Sequence, residues 1–125
     1  MAYHIPRVNS LIRHEMSEIL RREVKDPRLG TFVTITAVET SADLRYAKVF
    51  ITRLGTYQER RDTLSALQSA AGYLRRKLAA RLRLRRIPEL AFRWDDSIER
   101  GARLFRLLEE VAHHNNPEDT PPGQG

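Results

Sequence analysis

SAAGYLRRKLAARLRLRR, residues 69–86, carries a glycine near the head of a run rich in Ala, Leu and Arg. Gly inside a helix costs roughly 1 kcal/mol relative to Ala, so Gly72 predicts a bend or a junction between two helices. Leu74, Leu78 and Leu82 recur every four residues as one stripe, so helix resumes beyond Gly72 and runs to a stop at Ile87-Pro88. Arg75, Arg76, Lys77, Arg81, Arg83, Arg85 and Arg86 fall in the same run, with no acid among them. On a helix, Arg75, Arg76 and Arg83 flank the leucine stripe on one side and Lys77 and Arg81 on the other. Such a helix packs inward and presents cations outward. Like charges at this spacing disfavour a helix by a few tenths of a kcal/mol per close pair, a cost that a bound polyanion relieves. The guanidinium fork suits phosphate oxygens and stacks on bases, which favours nucleic acid over an acidic membrane. Once the leucines enter a core, no long apolar face remains for a bilayer.

On the N-terminal side of this run, Val8, Leu11, Ile12, Met16, Ile19 and Leu20 mark one face of a first helix. Asn9 and Ser10 are candidate caps, and Pro6 permits an earlier start. Asp26-Pro27-Arg28-Leu29-Gly30 ends that helix in a turn. From Phe32 the period changes to two. Val33, Ile35 and Ala37 alternate with Thr34 and Thr36, as in a half-buried strand. A turn at Ser41-Ala42-Asp43 leads to a second alternating run, with Ala47, Val49 and Ile51 on one face and Tyr46, Lys48, Phe50 and Thr52 on the other. The short connection predicts an antiparallel hairpin. After Leu54-Gly55-Thr56, helical spacing returns with Leu64, Leu67 and Ala71. On the C-terminal side, Leu90-Ala91-Phe92-Arg93-Trp94 alternates as a third strand. Asp96 with Glu99 fits a capping box, and Ile98, Leu104, Phe105, Leu108 and Val111 outline a final amphipathic helix. The expected order is α-β-β-α-kink-α-β with a C-terminal helix, an α+β domain with helices on a small three-stranded sheet over residues 1–112. Residues 113–125 read as a disordered acidic tail.

The 125 residues and 41% hydrophobic content suit one core. The absence of Cys excludes disulfides, thiolate metal sites and thiol nucleophiles and points to a reducing, cytoplasmic setting. No run has the length of a membrane span. Formal net charge is +6, yet Glu109, Glu110, Glu118 and Asp119 are the charged side chains of residues 109–125, so residues 1–108 hold 22 basic and 12 acidic groups, a net of +10. A surface of that kind attracts polyanions, nucleic acid first.

Several pieces, in order, resemble one family. They are Lys25-Asp26-Pro27-Arg28-Leu29-Gly30; Asp43-Leu44 followed by Tyr46-Ala47-Lys48-Val49; Ala70-Ala71-Gly72; Arg83-Leu84-Arg85; Pro88-Glu89-Leu90-Ala91-Phe92; Asp95-Asp96-Ser97; and Gly101. Over roughly residues 7–111 the chain resembles ribosome-binding factor A, a type II KH-like domain in which an Ala-x-Gly kink stands where other KH domains carry GxxG. No GxxG occurs here, so the usual clamp on four nucleotides is not expected. The resemblance implies a monomeric, non-enzymatic factor without cofactor. It would bind the free 30S subunit, contact 16S rRNA, and support its late maturation and end processing, including in the cold, with a GTPase promoting release. The residues expected at the RNA are Ala70 and Gly72 at the kink and Arg75, Arg76, Lys77, Arg81, Arg83, Arg85 and Arg86 beyond it, with Lys25, Arg28, Arg45 and Lys48 extending the patch.

Some residues admit a second reading. Tyr46 and Phe50 flank Lys48 on one strand face, where packing beneath a helix is favoured over stacking on bases. Phe92 and Trp94 share a face and read as core. Glu89, Asp95 and Asp96 would be the carboxylates of a metal-dependent ribonuclease, the rival function, but Glu89 and Asp95 flank a whole strand and Asp96 is accounted for as a cap.

Overall fold

A computed structural model describes residues 4–22 and 33–114. The chain divides into two compact units, Met1–Asp95 and Asp96–Gly125. The first contains α1 (Ile5–Arg22), β1 (Thr34–Thr40), β2 (Tyr46–Thr52), α2 (Tyr57–Ser69), α3 (Ala71–Arg81) and β3 (Glu89–Trp94); the second contains α4 (Ser97–His114). The expected order is therefore the observed one. The turn read at Asp26–Gly30, with Lys25 and Arg28, lies outside the described residues, as does the tail beyond residue 114.

The sheet runs β1-β2-β3, with β1 antiparallel and β3 parallel to β2. One face is apolar because Ala47, Val49 and Ile51 alternate along the central strand, and all three are buried there with Leu90 and Phe92 of β3. α1 packs against β1, and α2 and α3 against β3. Val8, Ile12, Met16 and Ile19 of α1 meet Leu67, Leu74 and Leu78 of α2 and α3 in a single core. Burial of each such side chain contributes roughly 1.5–3 kcal/mol. Leu11, read as part of the α1 face, is instead exposed, because it lies at the margin of the stripe that Val8, Ile12, Met16 and Ile19 define.

The alternation of β1 departs from the sequence reading. Register shifts between Ile35 and Ala37, so Thr36 is an extra residue opposite β2. Ile35 stays inward, but the buried positions after it are Val38 and Thr40 rather than Ala37. A bulge of this kind changes the face of everything beyond it. The Thr36 hydroxyl bonds the Asp95 carboxylate, and the Asp95 N–H donates to Ile51 O at 2.7 Å. Asp95 thus closes the end of the sheet. α1 begins before Asn9, as Pro6 permits, and the Asn9 amide oxygen instead accepts the Thr40 N–H at 2.9 Å, tying α1 to the end of β1.

α2 starts at a capping box. The Thr56 hydroxyl accepts the Glu59 N–H at 3.1 Å, and the Glu59 carboxylate accepts the Thr56 N–H at 2.9 Å. The backbone N–H of Thr56, foremost, holds the Glu59 carboxyl below its ordinary value of 4.5. A folded value depressed in this way contributes stability above about pH 4.5, and that contribution is lost as pH falls through the lowered value. Glu59→Gln, which keeps a hydrogen-bonding amide at the cap, is expected to flatten the acid limb of a stability–pH curve below about pH 4.5. Thr56→Ala is expected to cost about 1 kcal/mol at every pH. Urea titrations across pH 3–7 check both.

At its other end, the Gln68 side chain meets the outer backbone edge of β3, donating to Leu90 O at 3.3 Å and accepting the Phe92 N–H at 3.2 Å. Those bonds satisfy polar groups of an edge strand and fix the junction that follows Gln68 against the sheet. In the second unit, α4 continues through His113 and His114, which read as tail. Asp96 stands before its first residue, accepting the Arg100 N–H at 2.8 Å through its carbonyl and pairing with the Arg100 guanidinium at 2.8 Å.

Candidate nucleic-acid interface

The junction between α2 and α3 is Ala70, with φ −88° and ψ 0°. Its N–H still bonds to Ala66 O at 3.0 Å and to Leu67 O at 3.1 Å, while its carbonyl accepts the Leu74 N–H at 2.9 Å. One residue therefore ends one helix and begins the next. Gly72 lies in the first turn of α3 and is exposed. A Cβ built there would meet only Arg76 Nη1, at 3.7 Å, an ordinary contact. Neither helix packing nor backbone conformation requires a glycine at this position. What glycine provides is an open patch of backbone on the surface. Gly72→Ala is expected to raise stability by about 0.5–1 kcal/mol, checked by thermal unfolding.

Beyond the kink the helix is shorter than its stripe suggests. It stops at Arg81, and Leu82 takes extended geometry with φ −111° and ψ 136°. Leu82 is buried and Leu84 half-buried, with Arg83 and Arg85 exposed between and after them. Leu-Arg-Leu-Arg is a period-two pattern, and an extended chain buries both leucines where a helix would bury one. Arg83, Arg85 and Arg86 consequently stand on an extended connection into β3 rather than on a helix face.

The predicted cations take different positions. Arg75 is half-buried, with Nε donating to Pro88 O at 3.1 Å and Nη2 to Ile87 O at 3.0 Å. It clasps the connection to α3. Arg81 pairs with Glu15 of α1 at 3.2 Å, and the Lys77 ammonium lies 5.5 Å from the Tyr73 ring centre. Arg76, Arg83, Arg85 and Arg86 are exposed. Arg45 is exposed and 3.6 Å from Asp43. The Asp43 carboxylate accepts the Ser41 hydroxyl and the Arg45 N–H, and these bonds, that of Ser41 first, hold its pKa below 3.8. Lys48 lies on the sheet face opposite the helices, beside Glu39 in the register.

Arg45, Arg75 and Arg86 line one open cleft of about 310 Å3, together with Tyr46, Ile87 and Glu89. Tyr46 is 60% exposed, so packing beneath a helix is not its role; Phe50 is half-buried. Phe92 is in the core, and Trp94 packs at its margin with the Arg60 guanidinium 4.8 Å from its ring. The partnership of Tyr46 and Glu89 depends on β2 and β3 pairing in parallel, which no local pattern reveals. Glu89 and Asp95 stand at opposite ends of β3, about 20 Å apart at strand rise. Among the described residues, no group of three acidic or imidazole side chains is placed to hold a metal ion.

Comparison with known proteins bears on this arrangement. Residues 4–108 match the ribosome-binding factor A family. The chain belongs to that family. It is 43% identical over 120 residues to ribosome-binding factor A of Acetivibrio thermocellus, covering 93% of this chain and 98% of the relative. A solution structure of a Thermotoga maritima protein, a putative ribosome binding factor A, superposes with a TM-score of 0.66 at 40% identity over 73% of this chain and 86% of that one. Ribosome-binding factor A of Thermus thermophilus, as a homology model fitted into a cryo-EM map of its 30S complex, superposes at 0.58 with 28% identity, covering 70% of this chain and 91% of that one. The family resemblance read from the ordered motifs is thus confirmed.

Proposed function

We propose that this chain is a small-subunit assembly factor, binding the free 30S particle and contacting 16S rRNA through the kink and the connection into β3. The observation that carries this reading is an open backbone at Gly72 within reach of the Arg76 guanidinium, followed by exposed Arg83, Arg85 and Arg86 on the connection into β3. The family, and the 30S complex of a Thermus thermophilus relative, supply the particle. Ala70 and Gly72 let a phosphate backbone approach. Arg76, Lys77, Arg81, Arg83, Arg85 and Arg86 neutralise it, and Arg45, Lys48, Lys25 and Arg28 extend the contact. Arg75 belongs to the same surface as its internal brace.

The factor works by binding alone. It stabilises one RNA conformation by mass action and so supports late maturation and end processing of 16S rRNA, including in the cold. It acts as a cytoplasmic monomer without cofactor, within residues 1–112, and a ribosome-associated GTPase promotes its release. With four to six phosphates neutralised, log affinity for small-subunit RNA is expected to fall against log salt with a slope of about −3 to −5. A slope near zero in a filter-binding series from 50 to 400 mM salt would refute the phosphate contact.

A further inference from the structure

The cleft between Arg45, Arg75 and Arg86 has a composition that phosphate binding alone does not explain. Three guanidinium groups, an exposed aromatic ring, an aliphatic wall at Ile87 and one carboxylate surround about 310 Å3, within the range of clefts that hold small organic ligands. A pure phosphate track has no use for Glu89, which opposes the anion, or for Tyr46.

The surrounding backbone is built to hold these groups. Tyr46 and Glu89 are register partners at the first positions of two parallel strands, on the face opposite buried Ala47 and Leu90, so they stand side by side about 4.8 Å apart along the sheet. The Glu89 N–H donates to Arg45 O at 2.8 Å, which starts that ladder. The lip before Arg45 is Leu44, buried and at φ 61°. A non-glycine residue held in the left-handed region marks a turn kept against a local conformational cost. Asp43 bonds the Ser41 hydroxyl and the Arg45 N–H across the same turn. The opposite wall is fixed by the two bonds from Arg75 to Ile87 O and Pro88 O. Among the described residues the side chains of Glu89 and Arg86 have no hydrogen-bond or ion-pair partner, in contrast to Arg75 inside the same cleft.

A group that is anionic at its edge, flat and aromatic in its middle, and a hydrogen-bond donor at its far side satisfies all of these at once. We propose that the cleft binds one unpaired RNA nucleotide, its base stacked on Tyr46, the N1–H and N2–H donors of a guanine taken by the Glu89 carboxylate, and the flanking phosphates held by Arg45 and Arg86. Guanine is the nucleobase whose Watson–Crick edge offers two adjacent donors to a carboxylate. Single-stranded bases are read on that edge, stacked on aromatic side chains. The proposal rests on the RNA-binding reading above and adds to it a sequence preference.

The test is fluorescence anisotropy of the full chain at fixed salt with three labelled heptamers, U3GU3, U3AU3 and U7, and with small-subunit rRNA as a fourth arm. The expected result is tighter binding of U3GU3 than of U3AU3 or U7 by about 10-fold, as a bidentate base contact gives. Glu89→Ala brings that ratio below about 2. Tyr46→Leu weakens U3GU3 by about 10-fold while Tyr46→Phe does not, since stacking needs the ring and not the hydroxyl. Both side chains are exposed, so folding is not at issue, and circular dichroism verifies it. Equal affinity for the three heptamers, or a guanine preference that survives Glu89→Ala, overturns the nucleotide site while leaving rRNA binding in place. Failure to bind any of the four RNAs overturns the RNA-binding reading itself and the site with it.

Discussion

Replacing Arg76, Arg83, Arg85 and Arg86 together by Ala is expected to lower affinity for small-subunit RNA at least 100-fold near 100 mM salt and to leave the fold intact. One hundred-fold corresponds to about 2.7 kcal/mol, or less than 1 kcal/mol per guanidinium. That is modest against the roughly 1.5–3 kcal/mol of a charge-assisted hydrogen bond, because exposed guanidinium groups give up water to bind phosphate and the residual cations still hold part of the contact. The salt slope should become shallower by about one for each phosphate contact removed. All four side chains are exposed, and exposed substitutions typically change stability by less than about 0.5 kcal/mol each. Unaltered thermal unfolding alongside lost binding separates a contact surface from a structural one.

Arg75→Ala is expected to do the reverse. It removes the donors to Ile87 O and Pro88 O, and a half-buried carbonyl without a partner costs roughly 1–3 kcal/mol. With some water access to the vacated site, a loss of about 2–4 kcal/mol in unfolding free energy is expected in urea. Arg75→Lys is expected to recover little, since one ammonium does not reproduce a fork that spans two successive carbonyls. Arg76→Ala, one residue along the same helix, is expected to change stability by less than about 0.5 kcal/mol. Neighbouring arginines of one basic run thereby divide into a brace, Arg75, and an exposed side chain, Arg76.

That division leaves no mark along the chain. Element order was legible because apolar spacing switches cleanly between four and two, and because Pro27, Gly72 and Pro88 punctuate it. The family was legible because several weak motifs stand in the right order. The β1 faces were not, since a bulge at Thr36 inverts alternation without a local signature. The end of α3 was misread because Leu74, Leu78 and Leu82 suit a helical stripe, and only the core shows that Leu82 and Leu84 are both accommodated by extended chain. Thr56-x-x-Glu59 is a capping box legible in the sequence. The roles of Arg75 and Arg81 depend on Ile87, Pro88 and Glu15, whose proximity is tertiary. Likewise the cleft exists because two parallel strands set Tyr46 beside Glu89. Spacing along a chain reveals which residues share an element, and says little about which elements meet.

Recognition of the free small subunit through the kink surface, as proposed above, makes a direct prediction. Co-sedimentation with isolated small subunits, isolated large subunits and complete ribosomes, at moderate and high salt, tests it most directly when run beside the Arg76, Arg83, Arg85 and Arg86 variant. The expected result is parent protein in the small-subunit pellet, little with large subunits or complete ribosomes, and the folded variant left in the supernatant. Equal pelleting with every particle, or a variant that pellets as well as the parent, would contradict it.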